Sequence, residues 1–245
     1  MVYYIRKLGG KFPMNILVLD DEKEIADLVE VYLKNENYTV YKCYTAKDAI
    51  ECIKTNVLDM AILDVMVQGT SGFEICKMIR EEGYCFPVMM LTAKIQDEDK
   101  ITGLTLGADD YMTKPFNPLE LVARVKSALR RYTKYNGTEE KTEEIQIGGL
   151  VIAPQKHECY VYDKKVDLTP IEFDILVYLG ERRGSVVPSE ELFEQVWKEK
   201  YLDNNNTVMV HIRRIREKLG EDTKKPKYIK TVWGVGYKIE REEGN

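Results

Sequence analysis

The stretch Met60-Ala61-Ile62-Leu63-Asp64 (residues 60–64) decides the fold, because it is a short apolar run that ends in a carboxylate. Turn-forming residues follow closely, in the segment 67–72 (VQGTSG). An apolar run of this length next to turn residues predicts a strand that is buried on both faces of a sheet. A carboxylate at the carboxyl end of such a strand lies where open α/β sheets bind their ligands. Asp64 is therefore the centre of a candidate site.

Three further apolar runs end in polar residues in the same way. The runs 16–19, 87–91 and 110–113 are followed, respectively, by Asp20 and Asp21, by Thr92, and by Lys114. Because the carboxyl ends of parallel strands meet at one edge of a sheet, these side chains are expected to converge on Asp64. Carboxylates, a hydroxyl group and a lysine that meet in one crevice form a site at which Asp64 could be phosphorylated.

The order of predicted elements gives the fold class of the first half of the chain. Strands are predicted near 15–19, 39–43, 60–64, 87–91 and 110–113, and amphipathic helices near 24–35, 45–54, 72–82, 97–106 and 117–131. Parallel strands need crossover connections, so five alternating strand–helix units predict an α/β domain with a parallel sheet covered by helices on both faces.

The second half has a different organisation. Short alternating runs between Ile145 and Leu168 predict a small antiparallel sheet, and three helices and a hairpin over 228–239 follow, which is the order of a winged helix. Thr169 and Glu172 form a capping box at the first of these helices. The predicted divisions are an N-terminal extension 1–13, a first domain 14–132, a polar linker 133–144 and a second domain 145–241.

Composition and charge restrict the function classes. The chain is 44% hydrophobic and 31% charged, and no apolar stretch approaches the roughly 18 residues of a membrane helix. Five cysteines without a C-x-x-C pair favour free thiols in a reducing cytoplasm. Residues 145–245 carry 17 basic and 17 acidic residues, so a case for nucleic acid binding rests on local clustering of charge.

The acidic crevice predicts a metal site. Asp20, Asp21 and Asp64 cannot all stay ionised within a few ångströms of one another without a cation, and hard oxygen ligands suit Mg²⁺. Asp64 would attack phosphorus in line, Lys114 would hold a phosphoryl oxygen by its charge, and Thr92 would donate a hydrogen bond to the product. Taken singly, a strand-end aspartate is more often a cap or turn former.

The helix predicted over 204–219 combines a core stripe with a basic face. The residues opposite the stripe or at its flanks that could contact DNA are Asn206, Val210, His211, Arg213, Arg214 and Arg216. Arginine can pair bidentately with guanine in the major groove, and basic side chains can hold phosphates. A solvated charged helix face explains the same pattern about equally well.

The motifs LVLDDE (17–22), AILDVM (61–66), MLTAK (90–94) and GADDYMTKPF (107–116) resemble the receiver domain of two-component response regulators, which has a flavodoxin-like (βα)5 fold. The resemblance implies that Asp64 accepts a phosphoryl group from a sensor histidine kinase. It implies that Asp21, Asp64 and the backbone carbonyl of Met66 bind Mg²⁺, with Asp20 acting mainly through water. Thr92 and Tyr111 would form the switch, and the Lys114–Pro115 peptide would be cis. Gln68 departs from the family, which often has proline before the glycine.

The resemblance to the OmpR/PhoB class also implies a homodimer that forms on phosphorylation. Its expected ion pairs across the dimer are Lys100 with Glu120, Asp110 with Arg124, and Asp109 with Lys126. An ordinary solvated surface would carry the same charges, and exposed pairs contribute little.

The motifs LTPIEFDIL (168–176), NNTVMVHIRRIREKL (205–219) and YIKTVWGVGYKI (228–239) resemble the winged-helix effector of the same class. By position, Val210 and Arg214 would meet base edges, and His211, Arg213 and Arg216 would meet phosphates of promoter DNA. Two residues depart from the family: Asn206 stands where some members have a phosphate-binding arginine, and Trp233 replaces the common wing arginine. Trp233 would then pack in the core or against the sugar backbone. The segment 198–203 matches the loop that contacts RNA polymerase.

Within this class, segments 20–42, 99–104, 157–160 and 226–240 are most similar to regulators of vancomycin resistance. The resemblance implies control of genes that remodel the D-alanyl-D-alanine end of the cell-wall precursor. A regulator of the same class with a different cell-envelope or stress regulon is the alternative. An aspartyl-phosphate phosphatase is disfavoured, because residues 1–150 contain no histidine and no carboxylate stands two positions after Asp64 to act as acid or base. A C-terminal half that binds only protein is a third hypothesis.

Overall fold

The computed structural model describes residues 13–68, 70–93, 107–134, 144–198, 207–222 and 225–241. The chain divides into two compact units, residues 1–137 and 138–245. The predicted N-terminal extension lies almost wholly outside the described residues, as do most of the linker 133–144 and the helix expected over 97–106.

The first unit is a five-stranded parallel sheet with helices between the strands, as predicted. Its sheet has the order β2-β1-β3-β4-β5, in which every neighbouring pair is parallel. The described elements are β1 (Asn15–Leu19), α1 (Lys23–Asn35), β2 (Thr39–Cys43), α2 (Ala46–Thr55), β3 (Met60–Asp64), α3 (Gly72–Glu81), β4 (Val88–Thr92), β5 (Asp110–Thr113) and α4 (Pro118–Lys134). This order confirms the flavodoxin-like fold class.

Burial of apolar side chains on both faces of the sheet holds this unit together. Every residue of β3 and β4 is buried, which is why these strands read as continuous apolar runs. Helix α1 buries Ala26, Val29 and Leu33 against the sheet. At the start of α4 the side-chain oxygen of Asn117 accepts a hydrogen bond of 2.9 Å from the backbone of Leu119, which confirms Asn117 as the N-cap.

The second unit contains two small antiparallel sheets, three described α-helices and a short 3-10 helix (Pro154–Lys156). One sheet has the order β6-β7-β8-β9 and the other has the order β10-β12-β11. Its elements are β6 (Ile145–Ile147), β7 (Leu150–Ala153), β8 (Glu158–Val161), β9 (Lys164–Val166), α5 (Pro170–Glu181), β10 (Val187–Pro188), α6 (Ser189–Trp197), α7 (Thr207–Lys218), β11 (Ile229–Val232) and β12 (Gly236–Ile239). This order is the predicted winged helix, with β11 and β12 as the wing.

Local signals in the sequence set the ends of these elements. Thr169 and Glu172 form the predicted capping box at the start of α5, with hydrogen bonds in both directions. The wing turns through Gly234, whose φ of +74° is unfavourable for other residues. Among the residues that the structure describes, no helix has both the length and the apolar character needed to cross a membrane.

Candidate functional site

Three of the predicted site residues meet at the carboxyl edge of the parallel sheet. The ammonium nitrogen of Lys114 lies 2.8 Å from Asp64 Oδ2 and 2.8 Å from Asp20 Oδ2. The two carboxylates follow β1 and end β3, which are neighbours in the sheet, and Lys114 follows β5. Asp20 is fully buried and Asp64 is 4% exposed. One ammonium group inside the protein therefore pairs with both carboxylates and offsets one of their two charges.

The pKa values in this cluster reflect a competition between burial and charge. Burial opposes the charge of Lys114, but its hydrogen bonds to Asp20 and Asp64 outweigh burial and raise its pKa above the usual range. Burial raises the pKa of Asp20, and the hydrogen bond from Lys114 only partly offsets this effect. Lys114 also lies 3.2 Å from the exposed carboxylate of Glu22. Lys114 is thus a fixed cation at the sheet edge.

The donor atoms around Asp64 fit a hard divalent cation. Ligand oxygens of Asp20, Asp21 and Asp64 lie within 4.8 Å of one another. Asp21 is exposed, so the cluster opens to solvent on one side. Carboxylate oxygens with room for water are the donor set that Mg²⁺ prefers. Met66, the predicted carbonyl ligand, is on the loop that follows β3, and its backbone amide donates a hydrogen bond of 3.1 Å to Asp64 Oδ1.

The loop after β3 returns so tightly that Gly72 packs against the backbone of Asp64. A Cβ atom at Gly72 would lie 2.1 Å from the carbonyl oxygen of Asp64, so only glycine fits there. The preceding residue, Ser71, caps α3 by accepting a hydrogen bond from the backbone of Phe73. The start of α3 is therefore held directly against the strand end that carries Asp64.

The two predicted switch residues lie on the neighbouring strands β4 and β5. Thr92 is 6% exposed and Tyr111 is 9% exposed, so both side chains are buried. The backbone amide of Lys114 donates a hydrogen bond of 2.7 Å to the carbonyl of Thr92. The Lys114–Pro115 peptide is cis, as the resemblance implies.

Residues from two of the three ion pairs expected across the dimer form ion pairs within the single chain. Arg124 lies 3.1 Å from Asp110 and 3.0 Å from Glu120, so both acids are already paired with Arg124 of the same chain. Lys100, the expected partner of Glu120, lies outside the described residues. A dimer that uses these residues would have to exchange pairs within one chain for pairs between chains.

The expected pair of Asp109 with Lys126 across the dimer stays a prediction, and in the single chain Asp109 is internal. Asp109 is 3% exposed, and its Oδ2 accepts hydrogen bonds of 2.8 Å from Arg80 and from the backbone of Val88. Arg80 also donates to the carbonyl of Gly107. The expected partner, Lys126, instead lies 2.7 Å from Glu36. In the single chain Asp109 is therefore an internal charge that is paired with Arg80.

The predicted DNA-contacting residues of helix α7 differ in how far they are exposed. Arg213 is exposed and lies 2.9 Å from Glu217, one turn further along the helix. Four other predicted contacts on this helix are less than a tenth exposed, namely Val210, His211, Arg214 and Arg216. The remaining one, Asn206, lies outside the described residues. Contact with DNA at these positions stays a prediction.

A buried carboxylate explains the position of Arg214. Glu172 is fully buried, and its oxygens lie 2.9 Å from Arg214 and 2.7 Å from Lys218. The same carboxylate accepts a hydrogen bond of 2.8 Å from the backbone of Thr169. Burial opposes the charge of Glu172, but Arg214 and Lys218 outweigh it and lower its pKa to about 2. The sequence marked Glu172 only as a cap, because no local signal shows that two cations of a later helix face it.

Arg216 joins helix α7 to the wing. Its guanidinium donates hydrogen bonds of 3.2 and 2.7 Å to the carbonyl of Ile229 and one of 2.9 Å to the hydroxyl of Thr231. Trp233, at the wing turn, is 89% exposed. The alternative that Trp233 packs in the core is therefore excluded.

Comparison with known proteins agrees with both units. Residues 16–126 match the response regulator receiver domain, and residues 163–239 match the C-terminal domain of transcriptional regulatory proteins. Over 228 residues the chain is 58% identical to the regulatory protein VanR of Enterococcus faecium and 60% identical to VanRc of Enterococcus gallinarum. Each alignment covers 92% of this chain and 98% of the relative. Among solved structures, a mutant of RitR is 26% identical, with a TM-score of 0.72 over 93% of this chain and 99% of that one.

The parallel sheet with its acidic edge, the winged helix and these relatives lead to one conclusion. The chain belongs to the OmpR/PhoB class of response regulators, in which a receiver domain precedes a winged-helix DNA-binding domain.

Proposed function

We propose that Asp64 accepts a phosphoryl group from a sensor histidine kinase and that phosphorylation activates the chain as a transcription regulator. The observation that carries this proposal is the position of Lys114, 2.8 Å from the carboxylate of Asp64 in a cluster that also contains Asp20. Asp64 is the last residue of strand β3, and its carboxylate lies close to that of the exposed Asp21. A carboxylate with a fixed cation beside it can both act as a nucleophile and have its product stabilised.

Asp20, Asp21, Asp64 and the backbone carbonyl of Met66 would hold Mg²⁺ at this edge. When bound, Mg²⁺ would neutralise the oxygens of the incoming phosphoryl group. The chain's own residues have separate tasks. Lys114 binds one phosphoryl oxygen by its charge, and Thr92 donates a hydrogen bond to another. The phosphoryl group is then lost slowly to water, because residues 1–150 contain no histidine and no carboxylate stands two positions after Asp64 to act as a general base.

Thr92 and Tyr111 form the switch that responds to the phosphoryl group. They lie on adjacent strands, and Tyr111 directly follows Asp110, which Arg124 holds at 3.1 Å. A shift of these side chains would favour the arrangement in which Asp110, Glu120 and Arg124 pair across a homodimer. In these terms phosphorylation biases an equilibrium between two conformations.

The second domain would bind promoter DNA with helix α7 and the wing, and the segment 198–203 would contact RNA polymerase. Arg213 is the predicted phosphate contact that is exposed. The similarity to VanR and VanRc supports genes of glycopeptide (vancomycin) resistance as the targets. A different cell-envelope or stress regulon is the alternative, and it predicts binding to other upstream regions.

The deciding experiment measures binding to candidate upstream regions with and without acetyl phosphate and Mg²⁺, for the wild type and for Asp64→Ala. We expect phosphorylation to tighten binding by the wild type and to leave the variant unchanged. Equal binding in all four conditions would refute the switch at Asp64. Multiple fast turnovers of acetyl phosphate would refute the regulator and favour a phosphatase.

A further inference from the structure

Glu22 is a third carboxylate beside the ammonium group of Lys114. Its Oε1 lies 3.2 Å from Lys114 Nζ, which also contacts Asp20 and Asp64 at 2.8 Å. Because Oε1 of Glu22 and Oδ2 of Asp64 contact the same nitrogen, the two oxygens lie close together. The side chain of Glu22 is 62% exposed, whereas Asp64 is buried. Glu22 therefore lies on the solvent side of the cluster, as Asp21 does.

The backbone of Glu22 fixes where this carboxylate lies. Its amide donates a hydrogen bond of 3.1 Å to Asp20 Oδ1, and its carbonyl accepts hydrogen bonds from Ile25 and Ala26 at the start of helix α1. Glu22 is the N-cap residue of α1, yet its side chain makes no capping hydrogen bond. Capping is the usual role of a polar side chain at this position. The carboxylate is directed to Lys114 instead, so the structure of the helix does not explain its position.

The charge of Glu22 is not cancelled by its neighbours. Lys114 shares its single positive charge among the three carboxylates that it contacts. The carboxylate of Asp21 belongs to the same cluster. Lys114 and a bound divalent cation together carry fewer positive charges than these four carboxylates carry negative ones. A negative charge therefore remains on the solvent side of the site, where it repels an approaching anion over several ångströms of water.

The position of Glu22 matters because the leaving group of a phosphodonor departs on the same side. In in-line transfer the Asp64 oxygen bonds to phosphorus while the opposite bond breaks, and the leaving group takes the electron pair of that bond. The strand lies behind Asp64, so the leaving group departs toward solvent. Acetyl phosphate releases an anionic acetate there, which the carboxylate repels. A phosphoramidate holds a protonated nitrogen there, which the carboxylate attracts and which leaves as a neutral base.

We infer that Glu22 selects between classes of phosphodonor, favouring donors with a protonated nitrogen leaving group over acyl phosphates. The inference rests on the proposed phosphorylation of Asp64 and names a residue that sets its donor specificity. A phosphohistidine belongs to the favoured class, since its phosphorus is bonded to an imidazole nitrogen. Glu22 is not required as a nucleophile or as a ligand of the product, so its replacement leaves Asp64 able to react.

The test compares two small donors on the full chain in Mg²⁺. Initial rates of phosphorylation are measured with acetyl phosphate and with phosphoramidate for the wild type, Glu22→Gln and Glu24→Gln. Glu22→Gln is expected to react about threefold faster with acetyl phosphate and no faster with phosphoramidate. Salt should reduce this gain, since exposed charges are screened. Glu24→Gln removes the same charge from an exposed position in the first turn of α1, and it should keep the wild-type ratio of the two rates.

The ratio of the two rates distinguishes donor selection from a structural role of Glu22. Urea denaturation should give the same midpoint for Glu22→Gln as for the wild type, because an exposed ion pair contributes little to stability. Equal changes with both donors, or no change with either, would refute the inference and leave phosphorylation of Asp64 intact. A lowered midpoint with slower reaction of both donors would assign Glu22 a structural role and refute it as well. Failure of both donors to phosphorylate the wild type would refute the proposed function itself.

Discussion

Lys114 and Asp64 form an ion pair of 2.8 Å although fifty positions separate them in the chain. The pair exists because β3 and β5 end at the same edge of the parallel sheet. Asp20 shares the same ammonium nitrogen at 2.8 Å. The stability of this edge and its chemistry therefore depend on one cation.

Replacing that cation should destabilise the receiver domain and make it dependent on metal. Lys114→Met leaves Asp20 and Asp64 without a neutralising partner, which should lower the free energy of unfolding by about 3 kcal/mol. Mg²⁺ should restore part of the loss, because a divalent cation can take over the neutralisation. Urea denaturation with and without Mg²⁺ measures both effects. Lys126→Met, at a half-exposed lysine, is the control, and a loss of the same size there would contradict the explanation.

Any side chain at position 72 should destabilise the receiver domain. In Gly72→Ala the new carbon would lie 2.1 Å from the carbonyl oxygen of Asp64, so the start of α3 or the end of β3 must move. We expect a loss of about 2 to 3 kcal/mol in stability and slower phosphorylation by acetyl phosphate. Gly83→Ala is a suitable control: Gly83 has a φ of +83°, but a Cβ atom there would meet no other atom within 4 Å, so its loss should be about 1 kcal/mol. Equal losses of stability in Gly72→Ala and Gly83→Ala would show that the close packing of Gly72 against Asp64 is unimportant.

Asp109 should behave as an internal residue. Asp109→Asn weakens the neutralisation of Arg80 and should lower the stability of the unphosphorylated monomer by about 3 kcal/mol. Glu120→Gln, at a side chain that is 53% exposed, should change stability by less than about 0.5 kcal/mol. Denaturant unfolding of the two variants distinguishes these roles. An Asp109→Asn monomer of unaltered stability, together with a weakened dimer, would contradict the internal role and support the expected dimer pair of Asp109.

Glu172 should make the winged helix sensitive to strong acid. Its pKa is about 2 in the folded protein against an ordinary value of 4.5, so its contribution to stability is complete above pH 4.5. That contribution, about 3 kcal/mol, is lost as the pH falls from 4.5 toward 2, because protonation then favours the unfolded chain. Glu172→Gln should remove this pH dependence and destabilise the domain at pH 7. Glu217→Gln, at a half-exposed carboxylate, should do neither.

His157 should make the stability of the winged-helix domain depend on pH between 6.5 and about 4. Burial lowers the pKa of its imidazole from 6.5 to about 4, so the folded protein holds it neutral. The unfolded chain takes up this proton first, and stability should therefore fall by about 3 kcal/mol as the pH drops from 6.5 to 4. His157→Gln should flatten this part of the stability curve. Because the chain has two histidines, the resonance that this variant removes identifies His157 in an NMR titration, and a midpoint near 6.5 would contradict burial.

Much of the fold could be predicted from local signals. The buried strands of the receiver appear as apolar runs bounded by turn residues, and the capping box at Thr169 and the N-cap at Asn117 are recognisable from neighbouring residues. Strand β4 differs by one position, since it begins at Val88 rather than Pro87. The helix expected over 97–106 is untested, because it lies outside the described residues.

The surroundings of charged residues whose partners are distant in sequence could not be predicted from local signals. Helical spacing placed Arg214 on an exposed face, but Glu172 of helix α5 draws it inward. The resemblance implies a dimer pair for Asp109, which stays a prediction, whereas the pairing of Asp109 with Arg80 of helix α3 inside the chain had no local signal. The spacing of residues along one helix or strand predicts only which face of that element they occupy. Whether a charged side chain is buried or paired depends on the other elements that pack against it.

The sequence by itself determined the two domain types, the order of their elements and the cluster of strand-end residues around Asp64. These follow from apolar periodicity and turn chemistry, which act over a few residues. Only the tertiary structure decided that Lys114 pairs with both Asp20 and Asp64, that Asp109 and Arg214 are internal, and that Trp233 is exposed. The physical reason is that a charge removed from water needs an opposite charge within a few ångströms, and only the folded chain brings such partners together.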